Sequence, residues 1–286
     1  MALVETLLRS AGWVVVVDNH SSDSRYLESL ESRSGVTVIR NSENRGVSGG
    51  INQIIAEARE REAKFVVAFD QDTKITPDLI PVLASHFEHL LESGQAVAAI
   101  GPSVVDDYTD RCMPFVRFKL PFNLRYDRET VPRDTPQVEC DFLISSGCLM
   151  SLQALSEIGV MNDELFIDNV DLDWCFRARK KQFKIYGDFT VTVRQQIGVA
   201  LSRIPFTDAV IRYHDYSRHY FMTRNRAWLY RQRHANVAWV VHDVFRFSGK
   251  LLYLLVFKGN RLTLLKSSLK GVIDSFALTS YNNGKQ

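Results

Sequence analysis

The stretch "KFVVAFDQDT", residues 64–73, decides how this chain folds. The apolar run Phe65 to Phe69 reads as a strand buried on both faces. It ends by placing Asp70 and Asp72 one residue apart. Alternation along an extended strand end turns both carboxylates the same way and leaves Gln71 aside. Two like charges so close repel, so a positive group is expected beside them. A hard divalent cation, its shell completed by phosphate oxygens, meets that need. Taken alone, Asp72 could equally cap the turn before Thr73, so the neighbours decide.

Outward from that strand, "WVVVVDN" (13–19), "VTVIRN" (36–41) and "AVAAIGPSVV" (96–105) are further strands. Helical spacing covers 46–64 and 76–94, the second opened by Thr76-Pro77 and closed at Gly94. Strands alternating with helices predict an α/β fold with a mostly parallel sheet, right-handed crossovers and flanking helices. Such sheets bind ligands outside the carboxyl ends of their strands, where Asp18, Asp70 and Asp72 stand. Residues 106–140 form a long excursion without a clear period. "VECDFLISSGCLMS" (138–151) returns to strand character, 152–182 reads as two helices around an acidic loop, and 183–196 as a late strand. Beyond Arg224 the pattern is long amphipathic helix.

The 286 residues carry a net charge of only +2, unevenly placed. Between Arg224 and Lys270 there are ten Lys or Arg and one acid, Asp243. Cys112, Cys140, Cys148 and Cys175 show neither a CxxC pair nor metal-ligand spacing with His, so buried free thiols are expected. No signal-peptide pattern is present, and the longest apolar run near the C-terminus, Leu251–Phe257, falls far short of the ~20 residues that span a bilayer. A cytoplasmic location is expected. No nucleic-acid recognition motif accompanies the basic segment.

In "DLDWCFRARKK", Asp171 shares a helical face with Trp174, Cys175 and Ala178, while Asp173 meets Arg177 at i,i+4. Asp173 is thus expected to be an ion-pair partner. Asp171 sits beside apolar residues, where desolvation raises a carboxyl's pKa and suits it to act as a base; a plain helix N-cap is the alternative.

Taken together, "VVVVDNHSSD", "NRGVSGGIN", "FDQDT" and "LFIDNVDLDWCFRAR" resemble, in order and spacing, the inverting family 2 glycosyltransferases. The tokens "SGCLMSLQAL" and "HYFMTRN" bring the chain nearest the bacterial rhamnosyltransferase branch. The resemblance runs over about residues 10–230. It implies a GT-A fold and transfer of L-rhamnose from dTDP-L-rhamnose to a lipid-linked glycan in O-antigen or other surface-polysaccharide synthesis. It further implies that Asp18 binds the base, that Asn44, Gly46, Gly50 and Asn52 border the nucleotide, and that Asp72 holds Mg²⁺ or Mn²⁺. Asp70 then lies near the ribose or the metal, Arg224 and Asn225 near the diphosphate or at a flap that closes over it, and Asp171 is the base that deprotonates the acceptor. A donor carrying another sugar, a nucleotidyltransferase with the same acids, and a non-catalytic relative are the competing readings.

Two departures from the pattern stand out. The fold's first strand has no counterpart before "ETLLRSAG", so Met1 is expected to be an internal methionine of a longer protein. Where relatives carry a metal-binding His, this chain has "RQQIG", with Gln195 or Gln196 at that place; a weaker metal site is one reading, His214 as a replacement ligand another, and a lone His is more often structural. Residues 1–230 are expected to form the catalytic domain. Residues 231–286 form a basic tail whose apolar face, flanked by cations, suits the inner surface of the plasma membrane.

Overall fold

The computed structural model describes residues 2–196, 200–203, 210–213, 216–257 and 260–279. His214 lies outside them. The N-terminal part runs α1 (Ala2–Leu7), β1 (Val14–Asp18), α2 (Arg25–Glu31), β2 (Val36–Arg40), α3 (Gly46–Glu60), β3 (Phe65–Val67), α4 (Leu79–Glu92) and β4 (Val97–Asp106). The excursion holds a short hairpin, β5 (Phe115–Arg117) and β6 (Leu124–Tyr126), followed by β7 (Gln137–Cys140). Then come β8 (Leu149–Ser151), α5 (Leu152–Ile158), a 3-10 turn at Asp163–Leu165, α6 (Val170–Lys180) and β9 (Lys184–Gln195). The strands β10 (Ala200–Arg203) and β11 (Val210–Tyr213) pair with each other ahead of α7 (Tyr216–Leu229), α8 (Val237–Phe257) and α9 (Arg261–Asp274).

The central sheet has the order β3-β8-β4-β9-β7. β3, β4 and β9 run the same way, as the strand–helix rhythm requires, while β8 and β7 run against them. Both reversed strands come from 137–151, which is not one strand but two. Ser145-Ser146-Gly147 breaks it, with Gly147 at φ +84°, a left-handed conformation that glycine adopts without strain. The first turn of α4 also starts later than Thr76-Pro77 implies, with Asp78 in the capping position.

All ten residues of β4 are buried, as expected for a strand covered on both faces. One apolar cluster on the α3/α5/α6 side includes Ile55, Leu155, Trp174 and Phe176. A second, under α4, is built on Leu79, Leu83, Phe87 and Ile100. Three of the four cysteines are buried and none is disulfide-bonded; burial pushes the Cys140 thiol up to about 12.

β1 and β2 form a separate parallel pair with its own small cluster around Leu27 and Leu30. Among the described residues β1 pairs with β2 alone and β3 with β8 alone, so each presents an open edge. Between these edges lies a groove of 1090 Å³, walled by Val14–Val17 and Phe65–Phe69 and floored by Ile51, Ile54 and Leu149. Asn19, Gly46, Gly50, Asp70 and Ser145 also line it, so the groove shares part of its wall with the sequence-predicted site.

Candidate functional site

The carboxyl end of β1 leads into a net of side-chain amides. Asp18 is buried and accepts from the Ser21 amide at 3.3 Å. Asn19 donates to Gly46 O at 2.8 Å and accepts from Asn41 and the Arg45 amide. Asn44 accepts from the Gly46 amide at 2.9 Å. These bonds set the loop that starts α3.

Gly46 has φ +70°, and a Cβ placed on it would lie 2.3 Å from the carbonyl oxygen of Phe166. That carbonyl is needed where it is, because it accepts from the amides of Val47 (2.7 Å) and Ser48. Gly50 differs: a Cβ there would have nothing nearer than 3.8 Å. The two glycines thus have different reasons to be glycine. Gly46→Ala is expected to destabilise the chain by about 2–4 kcal/mol, through both strain and clash. Gly50→Ala, at an open position inside α3, is expected to raise stability by about 0.5–1 kcal/mol. Thermal melts check both. Asn52 donates to Met161 O and Asp163 and accepts from the Met161 amide at 2.9 Å. Both ends of its amide are engaged in pinning α3 to the 161–163 segment.

At the end of the 65–69 strand, residues 70–73 make a tight turn closed by Thr73 N to Asp70 O at 3.1 Å. Thr73 is buried; its hydroxyl meets Ser146 Oγ at 2.7 Å and Gln195 Oε1 at 3.4 Å. Ser146 Oγ also accepts from the Asp70 amide. Asp70 and Asp72 are left facing solvent on this anchored turn. The protein around Asp70 pushes its carboxyl above the ordinary range, the Asp72 charge adds to this, and Arg218 works against it. Desolvation is the larger cause, and the repulsion expected of neighbouring carboxylates comes second. Among the described residues no group of three or more His, Cys, Asp and Glu side chains converges to hold a metal. The pair nevertheless suits a hard cation that takes its remaining oxygens from a bound phosphate. Gln195, buried beside Thr73, lies next to this turn, whereas Gln196 is exposed.

Asp171 stands in the first turn of α6. Burial pushes its carboxyl up to about 6; the backbone amides of Leu172 and Ser145 pull it down, and the Asp168 charge raises it. Asp173, on the other side of the helix, is fully buried and bonds Arg177 at 2.9 Å and His234 at 2.7 Å. Burial works against its charge, yet the Arg177 guanidinium and the bond to His234 outweigh that and hold its carboxyl below the ordinary range. The i,i+4 ion pair read from the sequence is present, and it separates two acids only two residues apart into opposite chemistries.

Two consecutive residues join the parts. The Ser145 backbone touches the Asp171 carboxyl, while the Ser146 hydroxyl ties the Asp70–Thr73 turn. The raised carboxyl and the paired acids are thereby held by one short turn. Sequence reading did not single out these serines, although their place in "SSGC" directly before β8 is a turn signal.

Arg224 and Asn225 lie behind the site, on α7. Asn225 is fully buried and donates to the carbonyls of Leu165, Ile167 and Asp168 at 2.8, 2.6 and 2.8 Å. Arg224 donates to Glu164 O and Leu165 O. The turn they hold contains three non-glycine residues, Phe166, Asp168 and Asn169, each at φ +63°. Arg218 closes the same turn with a two-pronged ion pair to Asp168 at 3.2 Å and reaches Asp70 electrostatically. Its place between two site acids was also missed in the sequence, where it reads as one cation in a basic helix.

Residues 4–159 match the family model described as Glycosyl transferase family 2. The chain is 24% identical over 273 residues to the dTDP-rhamnosyl transferase RfbF of Shigella flexneri, covering 96% of this chain and 89% of that protein. Its fold is similar to that of S. aureus TarS residues 1–349, with a TM-score of 0.54, 14% identity, and 95% of this chain and 75% of that one covered. It is similar also to GalNAc-T7 solved with UDP, GalNAc and Mn²⁺, with a TM-score of 0.56 and 10% identity over 96% of this chain. This chain spans about half of the GalNAc-T7 chain, 52%.

Proposed function

Because the chain belongs to glycosyl transferase family 2, we propose that it moves L-rhamnose from dTDP-L-rhamnose to a hydroxyl of a lipid-linked glycan, with inversion, in making O-antigen or another bacterial surface polysaccharide. It is a glycosyltransferase, and a nucleotide-sugar is the donor class its family uses. The choice of dTDP-rhamnose rests on the sequence likeness to the Shigella enzyme and on the tokens "FDQDT" and "FIDNVDLDWCFRAR". The proposed acceptor, a glycan on a lipid carrier, would be met at the inner face of the plasma membrane. Residues 1–230 are the proposed catalytic domain and 231–286 its membrane-facing tail.

One observation carries the chemical reading: a carboxyl pushed up to about 6 is tied through Ser145-Ser146 to a turn with two outward carboxylates. Asp171 is the proposed base. It takes the proton from the acceptor hydroxyl, whose oxygen attacks the anomeric carbon on the face opposite the departing dTDP. Asp72, with Asp70, would hold Mg²⁺ or Mn²⁺. When bound, the ion offsets the negative charge growing on the leaving diphosphate. Asp18 is proposed at the base, and Asn44, Gly46 and Gly50 along the nucleotide. Asn52, Arg224 and Asn225 shape that border by holding the backbone around it.

Calorimetric titration of dTDP, with and without Mg²⁺ or Mn²⁺, tests the donor site. Metal-dependent binding that falls at least about tenfold in Asp72→Asn is expected. Tighter binding of UDP than of dTDP would move the proposal to another donor. A folded chain that binds neither nucleotide would overturn it.

A further inference from the structure

α9 is apolar on the wrong side for a helix that only completes a core. Leu262, Leu265, Leu269, Val272 and Ile273 all face outward, with exposures from 40% at Val272 to 73% at Leu262. On a helical projection they fall within about 100° of arc, a single stripe. The opposite face, which packs on α7, carries smaller groups: Ser268 and Gly271 are buried there beside Leu264. A Cβ on Gly271 would lie 2.8 Å from Tyr220 O and 3.1 Å from the Arg224 amide, so the two helices meet backbone to backbone. Core packing therefore accounts for the small inner residues and leaves the large outer ones without a purpose.

Charge says what would cover them. Arg261, Lys266 and Lys270 are exposed along the margins of the stripe. The single acid of the helix, Asp274, is taken up by the Tyr220 hydroxyl at 2.6 Å and by Lys270 at 3.1 Å. A second copy pairing through this face would bring like-charged margins together across a two-fold axis. An anionic bilayer instead accepts both features, apolar side chains below the headgroups and cations among them. Among the described residues no helix is long and apolar enough to cross a membrane, so the contact would lie in the membrane plane.

We propose that the outer face of α9 is an interfacial docking surface that seats the protein on an anionic lipid bilayer. The proposal deepens the reading of residues 231–286 as a membrane-facing tail and rests on it, but it needs nothing from the sugar chemistry. Its consequence for that site is mechanical. α9 rests on α7, and α7 through Arg224 and Asn225 grips the turn before Asp171, so docking would hold the acid at a set height above the lipid.

Co-sedimentation of the full chain with vesicles tests this without any sugar present. Vesicles containing a third phosphatidylglycerol are expected to bind at least about tenfold more tightly than phosphatidylcholine alone, and added salt should reduce the difference. The pair Leu269→Glu and Ile273→Glu should bring binding to background with an unchanged melting temperature. If that pair misfolds, Leu262→Gln with Leu265→Gln replaces it at the other end of the stripe. Lys266→Glu alone should weaken binding several-fold. Equal binding by folded stripe variants, or no preference for anionic vesicles, would overturn the proposal. So would a wild-type dimer that ignores vesicles and is split by the same substitutions, since the face would then belong to a second copy.

Discussion

Asp171→Asn is expected to lower turnover by about 10²–10⁴-fold while leaving dTDP affinity nearly unchanged. The amide keeps the size of the carboxyl and removes only its ability to take a proton. The wild-type rate should rise with pH through a single ionisation near 6, because burial holds the Asp171 carboxyl at about 6 and the base works only when ionised. Stability moves the other way. The group ionises more readily in the unfolded chain, at its ordinary 3.8, than in the folded one. The unfolded state therefore binds fewer protons between those values, and stability falls as pH rises from about 4 to 6. An Asn cannot ionise, so the variant should melt higher than wild type at pH 7 and show no such gain at pH 3. A variant that kept its rate, or a rate profile flat through pH 6, would exclude Asp171 as the base.

Asn225→Leu has the second large expected effect, and it separates two roles for the residue. The buried amide serves three carbonyls of a turn with three left-handed non-glycine residues. Each such residue costs about 1–3 kcal/mol unless its surroundings compel it. With a leucine in its place, the three carbonyls lose their donor at an expected cost of about 3 kcal/mol or more. The turn carries Phe166 O, on which the start of α3 is bonded, and it leads directly into Asp171. Turnover should fall about 10–100-fold because the acid loses its placement, while dTDP affinity changes little. Urea unfolding, titration and steady-state rates measure the three quantities separately. A loss of dTDP affinity as large as the loss of turnover would place Asn225 at the diphosphate, as the family resemblance implies.

Much of this architecture was legible along the chain. Buried strands declare themselves by continuous apolar runs, so 13–19, 64–72 and 96–105 could be placed, together with the acids at two of their ends. The helical face of "DLDWCFRAR" separated Asp171 from Asp173 before any coordinates, since a spacing of four residues pairs Asp173 with Arg177. The stripe on α9 was visible too, as apolar and basic residues at helical spacing. Local periodicity and strand-end placement need only nearby residues, and nearby residues are what a sequence displays.

Contacts between distant segments were another matter. Nothing in "SSGC" says that Ser145 and Ser146 tie Asp171 to the Asp70–Thr73 turn, because the partners lie 26 and 73 residues away. Arg224 and Asn225 read as lying near the diphosphate or at a flap over it, and nothing local says that both donate to carbonyls about 60 residues upstream. The reversal of β7 and β8 was equally hidden, since a strand's pattern of burial is the same in either direction. The sequence by itself determined the α/β class, the buried strands and the acids at their ends, through local spacing and hydrophobicity. What α7 holds, how Ser145 and Ser146 join the two acids and which face of α9 is left open come only from the folded contacts. Those depend on bonds between segments that meet only when the chain has folded.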